Sequence, residues 1–439
     1  MKQTRFVPVL LVLIVMMQTV GNAAAEKPLA KRILEDERLD TVHEKAQELI
    51  GSGFQAGGHY AAVWIRDLNT FLKTACAVHP PETLAKQLRL FFCFQGEDGN
   101  IPDGITPREQ ATVGDNFIDS DLAPNYRAHK NTVETDQESS LVQAVYQFTQ
   151  HCGQNEFLQE TIGGMTVLER LQDAIQYLLD HRYADEYGLI WGGTTADWGD
   201  VQPEDDWGVN LTEDSHRAID IYDNAMLVIA LQNLQALLPP DSQATQRWTS
   251  LEGQLRDQIR EHLWDEEEQK FIPNIYLEGS PFPADFDESQ IDYHGGTAVA
   301  IQAGILTKAE VAASLRMMRE NVREAGAQSI GLSLHPAYPE GFFLNPILTK
   351  PYTYQNGGDW TWFGARMIQG LIDYGFIEEA YAEIDPMVQR VIDNDGFYEW
   401  YQLDGTPAGS ANYRGSAGVL DQAILELQAW AQEHASQGQ

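Results

Sequence analysis

The chain has 439 residues, 43% of them hydrophobic, with 65 Asp and Glu against 29 Lys and Arg, a net charge of −36. Such a surface is repelled by nucleic-acid phosphates and by anionic membranes, and suits a neutral or cationic partner. The length allows two domains or one large one, with enough apolar content for a sizeable core.

The N-terminal segment carries Lys2 and Arg5, an apolar run from Phe6 to Val20 and the small residues of "NAAA". This is the layout of a secretory signal peptide, with cleavage expected after Ala25. An uncleaved anchor is the rival reading, but the run is short for a bilayer span. No later segment is apolar for long enough to cross a membrane. The mature chain is therefore expected to be soluble, without stable membrane insertion, and secreted or periplasmic.

Beyond the leader, apolar residues recur at helical spacing near 39–50, 68–78, 82–94, 138–150, 165–181, 221–238, 244–263, 296–304, 308–322, 361–374, 376–392 and 418–430. In "MTVLERLQDAIQYLLDH", Val167, Leu168, Leu171, Ala174, Ile175, Leu178 and Leu179 line one face, and in "GVLDQAILELQAW" Val419, Leu420, Ala423, Ile424, Leu427 and Trp430 do the same. About twelve helices and no convincing set of alternating strands predict an all-α fold. Long loops rich in Trp, Tyr, Asp and Gly follow about every second helix, as they would if helical hairpins packed in a ring and presented these loops at one end. No Pro/Ser-rich linker interrupts the pattern, so residues 26–439 are expected to form one domain.

Three cysteines, Cys76, Cys93 and Cys152, permit at most one bridge, and spacing does not choose the pair. No Cys/His spacing suggests zinc. The oxygen-rich "GEDGNIPDG" lacks the spacing of a calcium loop and reads as an acidic turn, so no cofactor is demanded.

The long loops combine flat aromatics with carboxylates, amides and Arg, the mixture that grips the C–H faces and hydroxyl rim of a sugar. Trp64, Arg66 and Asp67 stand in one loop; Trp191, Asp197, Trp198 and Asp200 in a second; Tyr354, Gln355, Asn356, Trp360 and Trp362 in a third; Tyr398, Glu399, Trp400 and Tyr413 in a fourth. Cleaving a glycosidic bond usually takes one protonated and one ionised carboxyl. In "TTADWGD", Trp198 lowers the local polarity and Asp197 is a like charge, and both would raise the pKa of Asp200. The plain alternative is that the two aspartates cap a helix or make an Asx-turn.

These segments resemble, in order along residues 57–425, those of the six-hairpin (α/α) barrel glycosidases, in particular the amylo-α-1,6-glucosidase, processing α-glucosidase and neutral invertase group. "WGGTTADWGDV" is similar to the acid loop of the debranching enzymes and of the cellobiose-type phosphorylases, where the donor is the Asp two residues after the Trp. The resemblance makes Asp200 the general acid. It makes Arg66 and Asp67 of "VWIRDLNTFL", with Trp64, and Gln355, Asn356 and Trp360 of "YTYQNGGDW" substrate contacts. Glu399 of "GFYEWYQLDG" becomes the general base, beside Trp400.

Asp223 of "IDIYDNAMLVIAL" is a rival donor, or a helix N-terminal carboxylate on the pocket wall. Asp136 and Asp220 read as caps or solvated groups, and His59 and His294 as residues able to touch sugar. The implied fold is an (α/α)6 toroid of about twelve helices. The implied activity is inverting hydrolysis of an α-linked glucoside or related oligosaccharide. A phosphorylase fits an exported chain poorly. A sugar-binding protein on an inactive barrel would keep the aromatics and need neither carboxylate. A lyase on a similar toroid would need a polyanionic substrate that a net charge of −36 opposes.

Overall fold

The computed structural model describes residues 26–111 and 117–436, so the segment read above as a signal peptide lies outside the described residues. After a helical stretch at 26–34 come twelve helices. They are α1 (Glu37–Gly51), α2 (Ile65–Val78), α3 (Pro81–Cys93), α4 (Gln137–Cys152), α5 (Val167–His181), α6 (Ile221–Leu237), α7 (Gln243–His262), α8 (His294–Gln302), α9 (Lys308–Ala325), α10 (Thr361–Asp373), α11 (Ile377–Asp393) and α12 (Arg414–Ser436).

The even-numbered helices pack in a closed circle, α2 on α4, then α6, α8, α10, α12 and back to α2. The odd-numbered helices lie outside them. This is the (α/α)6 toroid that the sequence predicts. The two rings differ in composition for a physical reason. Inner helices are covered on most sides, so α6 buries Ile221, Tyr222, Asp223, Asn224, Ala225, Met226, Leu227 and Val228 in succession. Outer helices keep one wet face, and α5 buries Val167, Leu171, Ala174, Ile175 and Leu178 at helical spacing. Capping boxes, Thr166 with Glu169 and Thr307 with Glu310, start α5 and α9; an N-cap of this kind contributes about 1 kcal/mol.

Each inner helix runs on from a long loop, so all six inner N-termini, and those loops, share one end of the ring. Close approach between inner helices is set by small residues. A Cβ added to Gly418 of α12 would lie 2.4 Å from Phe71 Cα of α2.

The loops are not irregular throughout, a departure from the strand-free expectation. β1 (Val63–Trp64), β2 (Gly104–Pro107), β3 (Phe117–Ile118) and β4 (Tyr126–His129) form an antiparallel sheet in the order β1-β2-β4-β3. β5 (Gly192–Gly193), β6 (Arg217–Ile219) and β7 (Ile275–Tyr276) form a second, and β8 (Tyr398–Tyr401) pairs with β9 (Pro407–Ala411). At two to five residues these strands are too short for alternation to show.

Among the described residues no helix is long and apolar enough to cross a membrane. Cys76 at the end of α2 is bridged to Cys152 at the end of α4, and Cys93 is free. The bridge closes a loop spanning 76 residues, which in the chain-entropy account stabilises the fold by about 4.5 kcal/mol. Cys76→Ser is expected to lower the denaturant midpoint and abolish its sensitivity to dithiothreitol. A variant as stable as the oxidised wild type would exclude the bridge.

Candidate active site

A cavity of about 230 Å³ opens at the loop end of the ring. Its walls bring together Trp64, Arg66, Asp67, Trp198, Asp200, Gln355, Trp360 and Glu399, contributed by four separate loops. Trp64 and Trp360 are the residues from which α2 and α10 start, and Arg66 and Asp67 lie in the first turn of α2. The floor is aromatic. Trp198 stacks on Phe363, with ring centroids 4.2 Å apart, and meets Trp360 edge-on at 4.6 Å.

Arg66 organises one wall. Its Nε donates to Asp136 at 2.7 Å, one Nη donates to the Trp198 carbonyl at 3.3 Å, and the other contacts Glu134 and Asp136. Tyr222 also donates to Asp136, at 2.7 Å. Burial opposes the Asp136 charge, but Arg66 and Tyr222 outweigh it and hold its pKa below the usual carboxylate range. Burial and the Asp136 charge keep Glu134 well above that range. Arg66 thus has Asp136 as its ionised partner. Asp136 is neither solvated nor a side-chain cap; it is wholly buried.

Asp200 and Glu399 face this cavity in unlike surroundings. Burial raises the pKa of Asp200, and the like charge of Asp103 adds to it, against the Arg66 charge and a hydrogen bond from Gln355. The Asp200 Oδ1 is buried without a partner among the described residues. Burial also raises Glu399, but its carboxylate accepts from the Ser410 N–H at 2.7 Å, the Tyr60 hydroxyl at 2.8 Å and Tyr354. Donors to an ionised carboxylate favour that form. Glu399 thus gathers three donors, whereas Asp200 has Gln355 and its own backbone N–H. Gly409 (φ 68°) allows the close approach at Glu399, since a Cβ there would lie 2.5 Å from Glu399 Oε2. Asp67 is a third carboxyl in the cavity. Burial raises its pKa to about 7, while a hydrogen bond from Tyr413 and the charge of Arg66 pull it down.

Seven residues that the sequence offered for the site lie off the cavity lining. Asp197 is not the like charge that acts on Asp200. It takes a left-handed turn (φ 54°), and its two oxygens accept from the N–H groups of Gly295 and Gly296, at 2.6 and 2.8 Å, at the start of α8. Two carboxylate-to-amide bonds at a helix N-terminus make it a structural anchor. Asp223 sits in the first turn of α6, off the cavity wall, where Asp220 caps its N–H at 2.8 Å. Asn356 is spent on backbone, accepting from the Tyr338 N–H and donating to the Tyr338 and Leu348 carbonyls. Trp400 packs edge-on against Tyr354 behind the wall. Trp191 is likewise remote, held between Arg182 and Arg217. His294 is buried at the start of α8, and His59 donates its backbone N–H to Ser410.

Sequence reasoning missed Tyr60, Asp103, His129 and Glu134, which also line the cavity. β1, β2 and β4 bring Asp103 and His129 beside Trp64: His129 Nδ1 lies 3.0 Å from Asp103, and its ring meets Trp64 edge-on. Burial opposes a charged His129, but the Asp103 hydrogen bond and charge outweigh it and raise its pKa. The one available signal was the alternation in "YRAH", too brief to stand out. Among the described residues no group of three or more His, Cys, Asp or Glu is placed to hold a metal ion. The Asp98 carboxylate of "GEDGNIPDG" accepts from the Asn100 N–H at 3.2 Å, as in an Asx-turn.

No protein-family profile and no curated protein matches the sequence. Solved structures match the fold. An uncharacterized conserved protein from Thermus thermophilus is 18% identical at a TM-score of 0.61, over 87% of this chain and 99% of its own. A GH63 mannosylglycerate hydrolase from the same organism, in complex with glucose, is 16% identical at 0.59 over the same shares. A rhamnosidase from Klebsiella oxytoca with rhamnose bound is 14% identical at 0.57, over 88% of this chain and 63% of that one. The latter two are glycoside hydrolases of the six-hairpin type.

The assignment of charge makes a titration prediction. Tyr60→Phe removes a donor that favours the Glu399 carboxylate, so the Glu399 pKa is expected to rise while that of Asp200 changes little. Carbon NMR of a carboxyl-labelled sample reads both, and an unmoved Glu399 would refute the assignment.

Proposed function

We propose that the chain is an exported glycoside hydrolase of the inverting kind, acting on a small, neutral α-linked glycoside of a glucose-like sugar. The observation that carries this reading is the lining of one cavity, where the carboxyls of Asp200 and Glu399 stand with Asp67, Gln355 and His129 among the rings of Trp64, Trp198, Trp360 and Trp362. A sugar ring, whose hydroxyls both donate and accept and whose C–H faces fit aromatic rings, suits this mixture. The glucose and rhamnose bound by the two named structural neighbours are consistent with it.

In this mechanism Asp200, its pKa raised by burial, donates to the glycosidic oxygen as the bond breaks. Glu399, its carboxylate accepting from Ser410, Tyr60 and Tyr354, takes a proton from the water that attacks the opposite face of the anomeric carbon. Asp67 and Gln355 accept hydrogen bonds from ring hydroxyls, and Trp198 and Trp360 exclude water from the leaving side. Activity should fall as pH drops through the Glu399 pKa and as it rises through that of Asp200. The Cys76–Cys152 bridge supports a secreted or periplasmic setting, since disulfides persist in oxidising compartments.

The cavity lining holds five carboxyl groups, Asp67, Asp103, Glu134, Asp200 and Glu399, against Arg66 and His129. An anionic aglycone is therefore opposed, even though one neighbour is a mannosylglycerate hydrolase. Neutral α-glucosides are expected to turn over faster than glycosides of glycerate, as a reducing-sugar assay across both sets would show.

Asp200→Asn and Glu399→Gln should each lower kcat by about 10²–10⁴-fold, and Asp223→Asn should leave turnover largely intact. A dead Asp223→Asn beside an active Asp200→Asn would move the donor. Proton NMR of the first-formed anomer tests the stereochemistry: retained configuration would remove Glu399 from the water-activating role. Binding of sugars with no hydrolysis on long incubation would mark an inactive barrel instead.

A further inference from the structure

A second cavity, of about 240 Å³, lies deeper along the axis, toward the end of the ring opposite the loops. All six inner helices contribute to it. Its lining contains Arg366, Lys73 and His151 and not one Asp or Glu, in a chain with 65 acidic residues. The upper cavity, by contrast, holds five carboxyls.

Arg366 is the unusual member. It is 6% exposed, its Nε has no hydrogen-bond partner among the described residues, and its Nη1 reaches only the Met226 sulfur, at 3.8 Å. Phe363 lies 5.6 Å from the guanidinium carbon. Asp136 acts on Arg366 through space, but Asp136 is already bonded to Arg66, whose own positive charge opposes that of Arg366. A buried guanidinium without a bonded counter-ion is costly.

The neighbouring groups do not supply that counter-ion. The side-chain amides are turned to other tasks: Asn69 donates to Gln143, Gln143 to the Met226 carbonyl and Gln369 to the Val419 carbonyl. Lys73 has Glu426 at 3.5 Å and feels Asp373, both outside the lining. His151 is disfavoured as a cation by burial and by Lys73. The helix dipole does not compensate either. Arg366 stands two turns before the end of α10 at Asp373, and the dipole acts within the last turn.

We infer that this cavity is a binding site for a small oxyanion, held by the Arg366 guanidinium with Lys73 at its rim. A planar fork of N–H donors matches two oxygens of one anion, and the volume admits a phosphate or sulfate. The site is separate from the proposed catalytic cavity and does not rest on the glycosidase reading.

Thermal unfolding of the full chain at constant ionic strength tests it. Phosphate and sulfate are expected to raise the unfolding midpoint saturably, by at least about 2 °C over chloride, with a binding isotherm by calorimetry. Arg366→Met should abolish both. Lys73→Met, at a half-exposed position, should weaken binding and supplies the test should Arg366→Met fail to fold. No difference between the oxyanions and chloride would overturn the proposal. So would a shift kept in both variants, or one kept in Arg366→Met and lost in His129→Asn, which would place the anion in the upper cavity.

Discussion

The site depends on where Arg66 puts its charge. One side chain at the start of α2 holds the Asp136 carboxylate at the start of α4 and the carbonyl of Trp198. The fork ties two inner helices and the loop of Trp198 to one another. It does so inside the protein, where breaking such a pair typically costs about 3–5 kcal/mol. Lys in its place could not make the same divided contact, because a point charge cannot satisfy two directions in one plane.

Within that frame two central carboxyls meet different surroundings. Asp200 accepts from Gln355 and from its own backbone N–H. Glu399 lies on a ribbon whose partner strand turns a backbone N–H toward it, with two phenols close by. Burial raises both, and hydrogen bonds oppose it at each, with more donors at Glu399. The proposed mechanism gives the better-supplied carboxyl the base's part and leaves the acid's part to Asp200, the division of labour that a general acid and base require.

The architecture was legible in the sequence because helical periodicity survives in every outer helix and because the long loops share one composition. The acid and base candidates were legible for the second reason: Trp, Gly and Asp together in a loop stand apart from the rest of the chain. What separates Asp197 from Asp200 was not legible. The two are three residues apart, and only a left-handed turn at Asp197 sends one carboxylate to α8 and leaves the other facing the cavity. His129 and Asp103 escaped because strands of four residues or fewer bring them together, with no periodic signal along the chain. The same limit applied to Cys76 and Cys152, whose pairing follows from the packing of α2 on α4 and not from spacing.

The circle of inner helices closes only when α12 docks against α2, joining the last helix of the chain to the second. Glu399 and Tyr413 come from the hairpin just before α12, whereas Tyr60, Arg66 and Asp67 stand near the other end of the sequence. The two ends of the sequence thus wall one cavity, so a chain clipped ahead of that hairpin would lack Glu399 as well as the helix that closes the ring.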